Sequence, residues 1–352
     1  MNPQTPRRVA RVAVVLAAAV LTACGGSAGP ARWDARGVAE SISDAPFTPV
    51  NVNSNLGVGR TRLAFALFKP DQTLVIEAQV TARLYRLAGD PEQQPTAATA
   101  AGTFTLNART IDVADHQGAR WPGDRPRGAP GAPAMHDVAL AAPRHDAPPA
   151  PAHDGALSTV FTAMVEFTEA GLWGIELDVK AEGKTHRGLR LTLRVLPHTS
   201  EPAVGDAAPG SKQAILKDVA NIADIDSARP PHLVLHDITL ADAIGSGRPV
   251  VAAFVTPAFC QTRFCGPVLD TVVLPAWKAY GDRVQFVHIE PFDIPAARKG
   301  SFNPVPAAKE WRLLSEPFIA VIDRQGKVAA KLEGIVALEE LTQALDAVLA
   351  AP

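Results

Sequence analysis

The sequence is poor in sulfur, nearly balanced in charge and without a long apolar run. Three cysteines and three methionines stand among 352 residues, so at most one intrachain disulfide can form and a fold stapled by several bridges is excluded. The formal net charge is -2, with no long basic stretch, which removes the electrostatic footprint of a nucleic-acid partner. The apolar run from Val12 to Ala23 is shorter than the roughly 20 residues that a membrane-spanning helix needs. What the chain does have is 47% hydrophobic and 20% charged residues, enough to bury sizeable cores over a length that suits two domains. Its 31 prolines and 26 glycines leave room for long irregular connections.

At the N-terminus Arg7, Arg8 and Arg11 precede the apolar run, the charged-then-hydrophobic order of an export signal, assigned here to residues 1–23. Leu21-Thr22-Ala23-Cys24-Gly25 resembles the bacterial lipobox. That resemblance implies a lipoprotein: Cys24 is acylated, with palmitate among its chains, and becomes the mature N-terminus. Each buried methylene contributes about 0.8 kcal/mol, so several chains would hold the protein on the outside of a membrane. Residues 24–47, rich in Gly, Ala, Ser and Pro, then read as a flexible tether. With Cys24 consumed by lipid, Cys260 and Cys265 have only each other to pair with, in a compartment where disulfides persist.

Residues 48–198 carry strand signals at Arg62–Phe68, Thr73–Tyr85, Ala100–Leu106, Ser158–Thr168, Leu172–Lys180 and Leu189–Leu196. Short strands without intervening helices imply an all-β sandwich. The turn Thr168-Glu169-Ala170-Gly171-Leu172-Trp173 resembles a hairpin of immunoglobulin-like periplasmic domains, some of which accompany copper proteins, and Trp173 reads as a core anchor. An insertion at about 112–157 is too rich in proline to offset the cost of ordering its backbone. It holds His116, Met135, His136, His145 and His153, whose imidazole and thioether groups suit copper. Their spacing matches no defined metal site, and the composition equally describes a solvated low-complexity segment. A second proline-rich connection, 199–231, follows.

From His232 to the C-terminus the pattern alternates between strand and helix: a short piece at Leu233–Leu235, a helical one at Leu240–Ile244, a strand at Val250–Val255, and a helix from Phe264 to Tyr280. After these come a strand at Val284–Glu290, a short helix at Ala307–Leu313, strands at Phe318–Ile322 and Val328–Leu332, and a last helix at Ala337–Leu349. This is an α/β layout around a mixed sheet. The apolar strand breaks at Thr256-Pro257, and Cys260 and Cys265 follow at the start of the helix. Amide groups at a helix start favour negative charge, so a cysteine there ionises more easily, and Arg263 can add to the effect. Pro275 is expected to kink the helix.

With Val204-Gly205-Asp206-Ala207-Ala208-Pro209 as a lead-in from about 203, and Ser315-Glu316-Pro317-Phe318 opening a later strand, residues 203–352 resemble the thioredoxin-like superfamily, in particular its exported thiol-disulfide oxidoreductases. The resemblance implies that Cys260 attacks, Cys265 resolves, and Pro317 is a cis proline facing them, the clients being protein thiols and disulfides of exported proteins with a separate redox partner. The sequence departs from the family in spacing the cysteines by four residues and in placing Phe259 where tryptophan is usual. It also has no carboxylate in the strand before them, for which Glu290 and Glu316 are the substitutes, with Thr256 an auxiliary residue. Two alternatives remain open. One is a copper-delivery protein of the Sco type, although His288 is the only histidine after Cys265; the other is an inactive binding module with a permanent disulfide. A peroxidase would need a threonine three residues before the first cysteine, where Pro257 stands.

Overall fold

The computed structural model describes Trp33 and residues 47–88, 97–113, 157–260 and 262–351. Cys24, Met135, His136, His145 and His153 lie outside the described residues, as does nearly all of the insertion between 112 and 157.

The first strands are β1 Thr48–Asn51, β2 Leu56–Gly57, β3 Gly59–Phe68 and β4 Gln79–Ala88. They are followed by β5 Ala97–Asp112, β6 Leu157–Phe167, β7 Gly171–Ala181 and β8 Lys184–Leu196. All eight form one mixed sheet in the order β1-β3-β6-β5-β4-β7-β8-β2. A sandwich of two separate sheets is the sequence expectation, and β5 is the reason for the difference. Its 16 residues are long enough to pair with β4 through Ala97–Leu106 and then with β6 through Asn107–Asp112. The sheet therefore curls, and Leu63, Phe65 and Phe161 from one half share a core with Leu84, Ile175 and Leu177 from the other. Trp173, 2% exposed, anchors this core, with its indole N–H bonded to the Glu169 carbonyl at 3.0 Å.

The strand expected from Thr73 begins only at Gln79. Val75 and Val80 are both buried, which a single strand of period two cannot achieve with an odd and an even position. Residues 73–78 are instead a connection held by the Asp71 carboxylate, which accepts from the Thr73 amide at 3.0 Å. The residue before the signalled β region, Phe47, and Trp33 further back are buried; Trp33 packs over Gly174, where any Cβ would stand 2.6 Å from the indole.

The second sheet contains β9 Val250–Phe254, β10 Gln285–Ile289, β11 Phe318–Ile322 and β12 Val328–Glu333, in the order β10-β9-β11-β12. β10 runs parallel to β9, and β11 antiparallel to both β9 and β12. Every residue of β9 and β11 is buried, because helices cover both faces. Side chains alternate across a strand. Val251, Ala253 and Ile319 accordingly meet Leu269, Val272 and Leu341 on one face, while Ala252, Phe254 and Ala320 meet Leu240 and Trp311 on the other.

The helices are α1 Leu240–Gly245; α2, built from Cys265–Val268, a π-helical turn Leu269–Val273 and Leu274–Tyr280; α3 Ile294–Ala297; α4 Pro306–Glu310; and α5 Leu338–Ala350. The distortion expected at Pro275 takes the form of the π turn just ahead of it. Proline has no N–H to donate, and its ring crowds the carbonyl four residues back. Leu233–Leu235 is a 3-10 turn. Among the described residues no helix is long and apolar enough to cross a membrane.

The two sheets meet at a desolvated ion pair. Arg62 of β3 bonds Glu340 of α5 at 2.8 Å and also donates to the Glu333 and Ile335 carbonyls, with side-chain exposures of 4% for Arg62 and 10% for Glu340. Ile111, Val113 and Val160 add apolar contact with the core around α2. Removing one partner of a buried pair leaves the other charged and unsolvated. Glu340 keeps Arg109 at 3.6 Å and the Ala337 amide at 3.1 Å, so Arg62→Ala should cost about 1.5–3 kcal/mol in chemical denaturation. Adding Glu340→Ala should recover part of that loss; a loss below 1 kcal/mol for the single variant would show that the pair carries no such weight.

Candidate functional site

β9 is apolar and fully buried, so the first polar chemistry appears where it ends. Thr256, 0% exposed, begins a turn in which the Phe259 amide returns to the Thr256 carbonyl at 3.2 Å. Phe259 packs edge-on against Phe302 on the opposite face of the sheet from the core that holds the cysteines. Arg263 adopts a left-handed backbone with φ of 67°, which reverses the chain so that α2 can start at Cys265.

This brings the two thiols together. The Cys265 amide donates to Cys260 Sγ at 3.3 Å, and Sγ lies 3.3 Å from the Thr262 hydroxyl. Both cysteines are free and buried, Cys260 retaining 8% exposure and Cys265 none. Burial pushes the Cys260 thiol up, but hydrogen bonds from the Cys265 thiol, from Thr262 and from the Cys265 amide outweigh it and bring the value to about 6. Cys265 moves the other way. Burial comes first, then the hydrogen bond to Cys260, the charge on Cys260 and that of Glu316; together they raise it well above the ordinary thiol value against a bond from the Thr256 backbone. The contacts thus favour the thiolate on Cys260 and the protonated thiol on Cys265.

The Glu316–Pro317 peptide is cis. Phe318 pairs with Phe254 across β11 and β9, so Pro317 and Glu316 lie level with Val255 and Thr256, on the strand edge that leads to the thiols. Of the residues singled out in the sequence, Cys260, Cys265, Thr256, Glu316 and Pro317 gather at this edge, and Arg263 shapes the loop between the cysteines. Glu290 stands behind this edge, its Oε1 accepting the Ser227 amide at 2.8 Å. Burial raises Glu290 to about 7, against the charge of His288 and the bond from Ser227.

Behind the edge is a polar cluster that sequence reasoning missed. Asp226, His236 and His288 are 0%, 2% and 1% exposed. Asp226 accepts the Ala228 amide at 2.8 Å and the His232 amide at 2.7 Å, and its Oδ2 lies 3.1 Å from His236 Nε2. Burial pushes the Asp226 carboxyl up, but the two histidines and the His232 amide hold it far below the usual range. His288 is raised by Asp226 against its own desolvation, while His236 is lowered by desolvation and by the charge of His288. Asp226 and Ser227 fall in the segment read as a passive connection, yet the Ser227 hydroxyl accepts the Ala258 amide of the thiol loop at 3.0 Å. A detectable signal was His288-Ile289-Glu290, two ionisable residues on one face at the end of the strand beside β9.

Comparison with known proteins returned nothing: no family model matches the chain, and no match was found among curated proteins or solved structures.

The hydrogen bonds on Cys260 have a measurable consequence. In the reduced protein the rate of alkylation by a small reagent should rise with pH around a midpoint of about 6. Thr262→Val, which removes one donor, should move that midpoint upward and slow alkylation at pH 6. A midpoint at the ordinary thiol value in the unaltered protein would contradict the geometry.

Proposed function

We propose that the chain is a thiol-disulfide oxidoreductase of the thioredoxin-like superfamily, working outside the cytoplasm and tethered to a membrane through lipid on Cys24. In this reading the curled β region is an immunoglobulin-like spacer. The observation that supports it most is the placing of two free sulfurs at the strand-to-helix junction, where the Cys265 amide at the start of α2 donates to Cys260 Sγ at 3.3 Å and so favours the thiolate there over Cys265. A thiolate is the nucleophile in disulfide exchange.

Cys260 Sγ attacks one sulfur of a client disulfide, forming a mixed disulfide and releasing the other client sulfur as a thiol after it takes up a proton. Once Cys260 has lost its negative charge, one of the causes that raise Cys265 disappears. Cys265 then attacks Cys260, the intramolecular disulfide closes, and its proton leaves with the second client thiol. The client gains two electrons, the pair loses two, and a partner dithiol restores the reduced state. The position of Pro317, level with Val255 on the strand next to the loop, supports the same reading. A second reading, copper handling in the cell envelope, draws on the same pair because soft thiolates suit Cu(I). Among the described residues no His, Asp or Glu forms a three-ligand group with the cysteines.

Turnover of insulin disulfides by the full chain with a small dithiol as reductant tests the proposal. Cys260→Ser should reduce turnover to background, and Cys265→Ser should accumulate the mixed disulfide. Undiminished turnover in Cys260→Ser would end the oxidoreductase reading. One equivalent of Cu(I), bound only when both thiols are present in a protein without turnover, would establish the copper reading in its place.

A further inference from the structure

Three donor groups converge between the thiol loop and β10, contributed by parts of the chain far apart in sequence. Asp226 follows the 3-10 turn Ile222–Asp224, His236 closes the turn Leu233–Leu235, and His288 sits next to the end of β10. One ligand atom from each lies within 4.8 Å of the others. His288 Nε2 is 2.9 Å from the Val255 carbonyl. A carbonyl can only accept, so Nε2 carries a proton and Nδ1 turns its other face toward Asp226. That Nδ1 is buried without a hydrogen-bond partner, because its separation from Asp226 Oδ2, 3.8 Å, is too long for one.

We propose that Asp226, His236 and His288 form a three-ligand site for a divalent first-row transition ion of the zinc class, bound through Oδ2, Nε2 and Nδ1. Bonds of about 2.0–2.2 Å in a tetrahedral shell set neighbouring ligand atoms roughly 3.3–3.5 Å apart. The observed 3.1 and 3.8 Å fall on either side of that spacing. Two imidazoles and one carboxylate make a zinc or iron donor set; calcium and magnesium take oxygen shells, and copper(I) prefers sulfur. The outer contacts fit as well, since a ligating histidine usually passes its second N–H to a carbonyl or carboxylate. Val255 supplies that carbonyl to His288, and the Ala228 amide fixes the other oxygen of Asp226. Glu290, two residues on from His288 and just past the end of β10, adds a second buried oxygen without a hydrogen-bond partner, Oε2. Neither cysteine belongs to the group, so the site stands independently of the redox reading.

Titration of Co2+ into the reduced, chelator-treated full chain tests it by visible absorption. The expected result is one Co2+ per chain with the weak bands of nitrogen and oxygen ligation, displaced by Zn2+. The Cys260→Ser/Cys265→Ser double variant should bind equally, and His236→Asn should lose the signal while keeping its circular dichroism. Absence of Co2+ binding by the unaltered chain, an intense thiolate charge-transfer band, or unchanged binding by a folded His236→Asn would each overturn the proposal. The spectrum of the unaltered protein decides even where the variant does not fold.

Discussion

Cys260 Sγ accepts an amide hydrogen bond from Cys265 and faces the Thr262 hydroxyl, both at 3.3 Å, in surroundings that are otherwise largely apolar. Water gives an exposed thiolate similar contacts, but here they are fixed in advance by the backbone. The amide belongs to the first residue of α2, so its direction is set by the helix. The helix in turn is set by a stripe of Leu269, Val272, Val273 and Ala276 against the sheet. Packing at the core thereby reaches the sulfur, and the ionisation of Cys260 is a property of the fold rather than of one neighbour.

The same edge of the sheet is polar behind the thiols. The Ser227 amide donates to Glu290, and the Ser227 hydroxyl receives the amide of Ala258, two residues before Cys260. Asp226, next to it, is tied to His236 and to two backbone amides. A buried carboxylate is costly unless fully hydrogen-bonded or paired, so the 226–236 segment has few alternative positions. It braces the loop from the side opposite β11. The ionic contact of Arg62 with α5 and the apolar contact of Ile111 and Val160 with the core around α2 hold the curled sheet against the same body.

How much of this could be read beforehand depends on the range of the interaction. β9, the break at Thr256-Pro257 and the start of α2 at Cys265 are local: an apolar run, a proline and a helical stripe leave few alternatives. β4 was harder, because the alternation through Thr73–Ala78 looks continuous until burial shows Val75 and Val80 on the same side. Curling depends on β5 changing partners half-way along its length, which no local pattern records. Asp226 is the clearest omission. Its neighbours Arg229, Pro230 and Pro231 give the segment the composition of a linker, while its partner His288 lies 62 positions away on β10. The cis peptide at Pro317 has no local signal either and is reached only through the family resemblance.

The reduction potential of the Cys260–Cys265 pair tests the central claim most directly. Stabilising the thiolate favours the reduced form and makes the disulfide a better oxidant, whereas structural disulfides lie below about -300 mV. Equilibration in buffers of known potential, with trapping of free thiols, should show a reversible two-electron transition above about -300 mV. A pair that never forms a disulfide, or one that stays oxidised below that potential, would contradict the account.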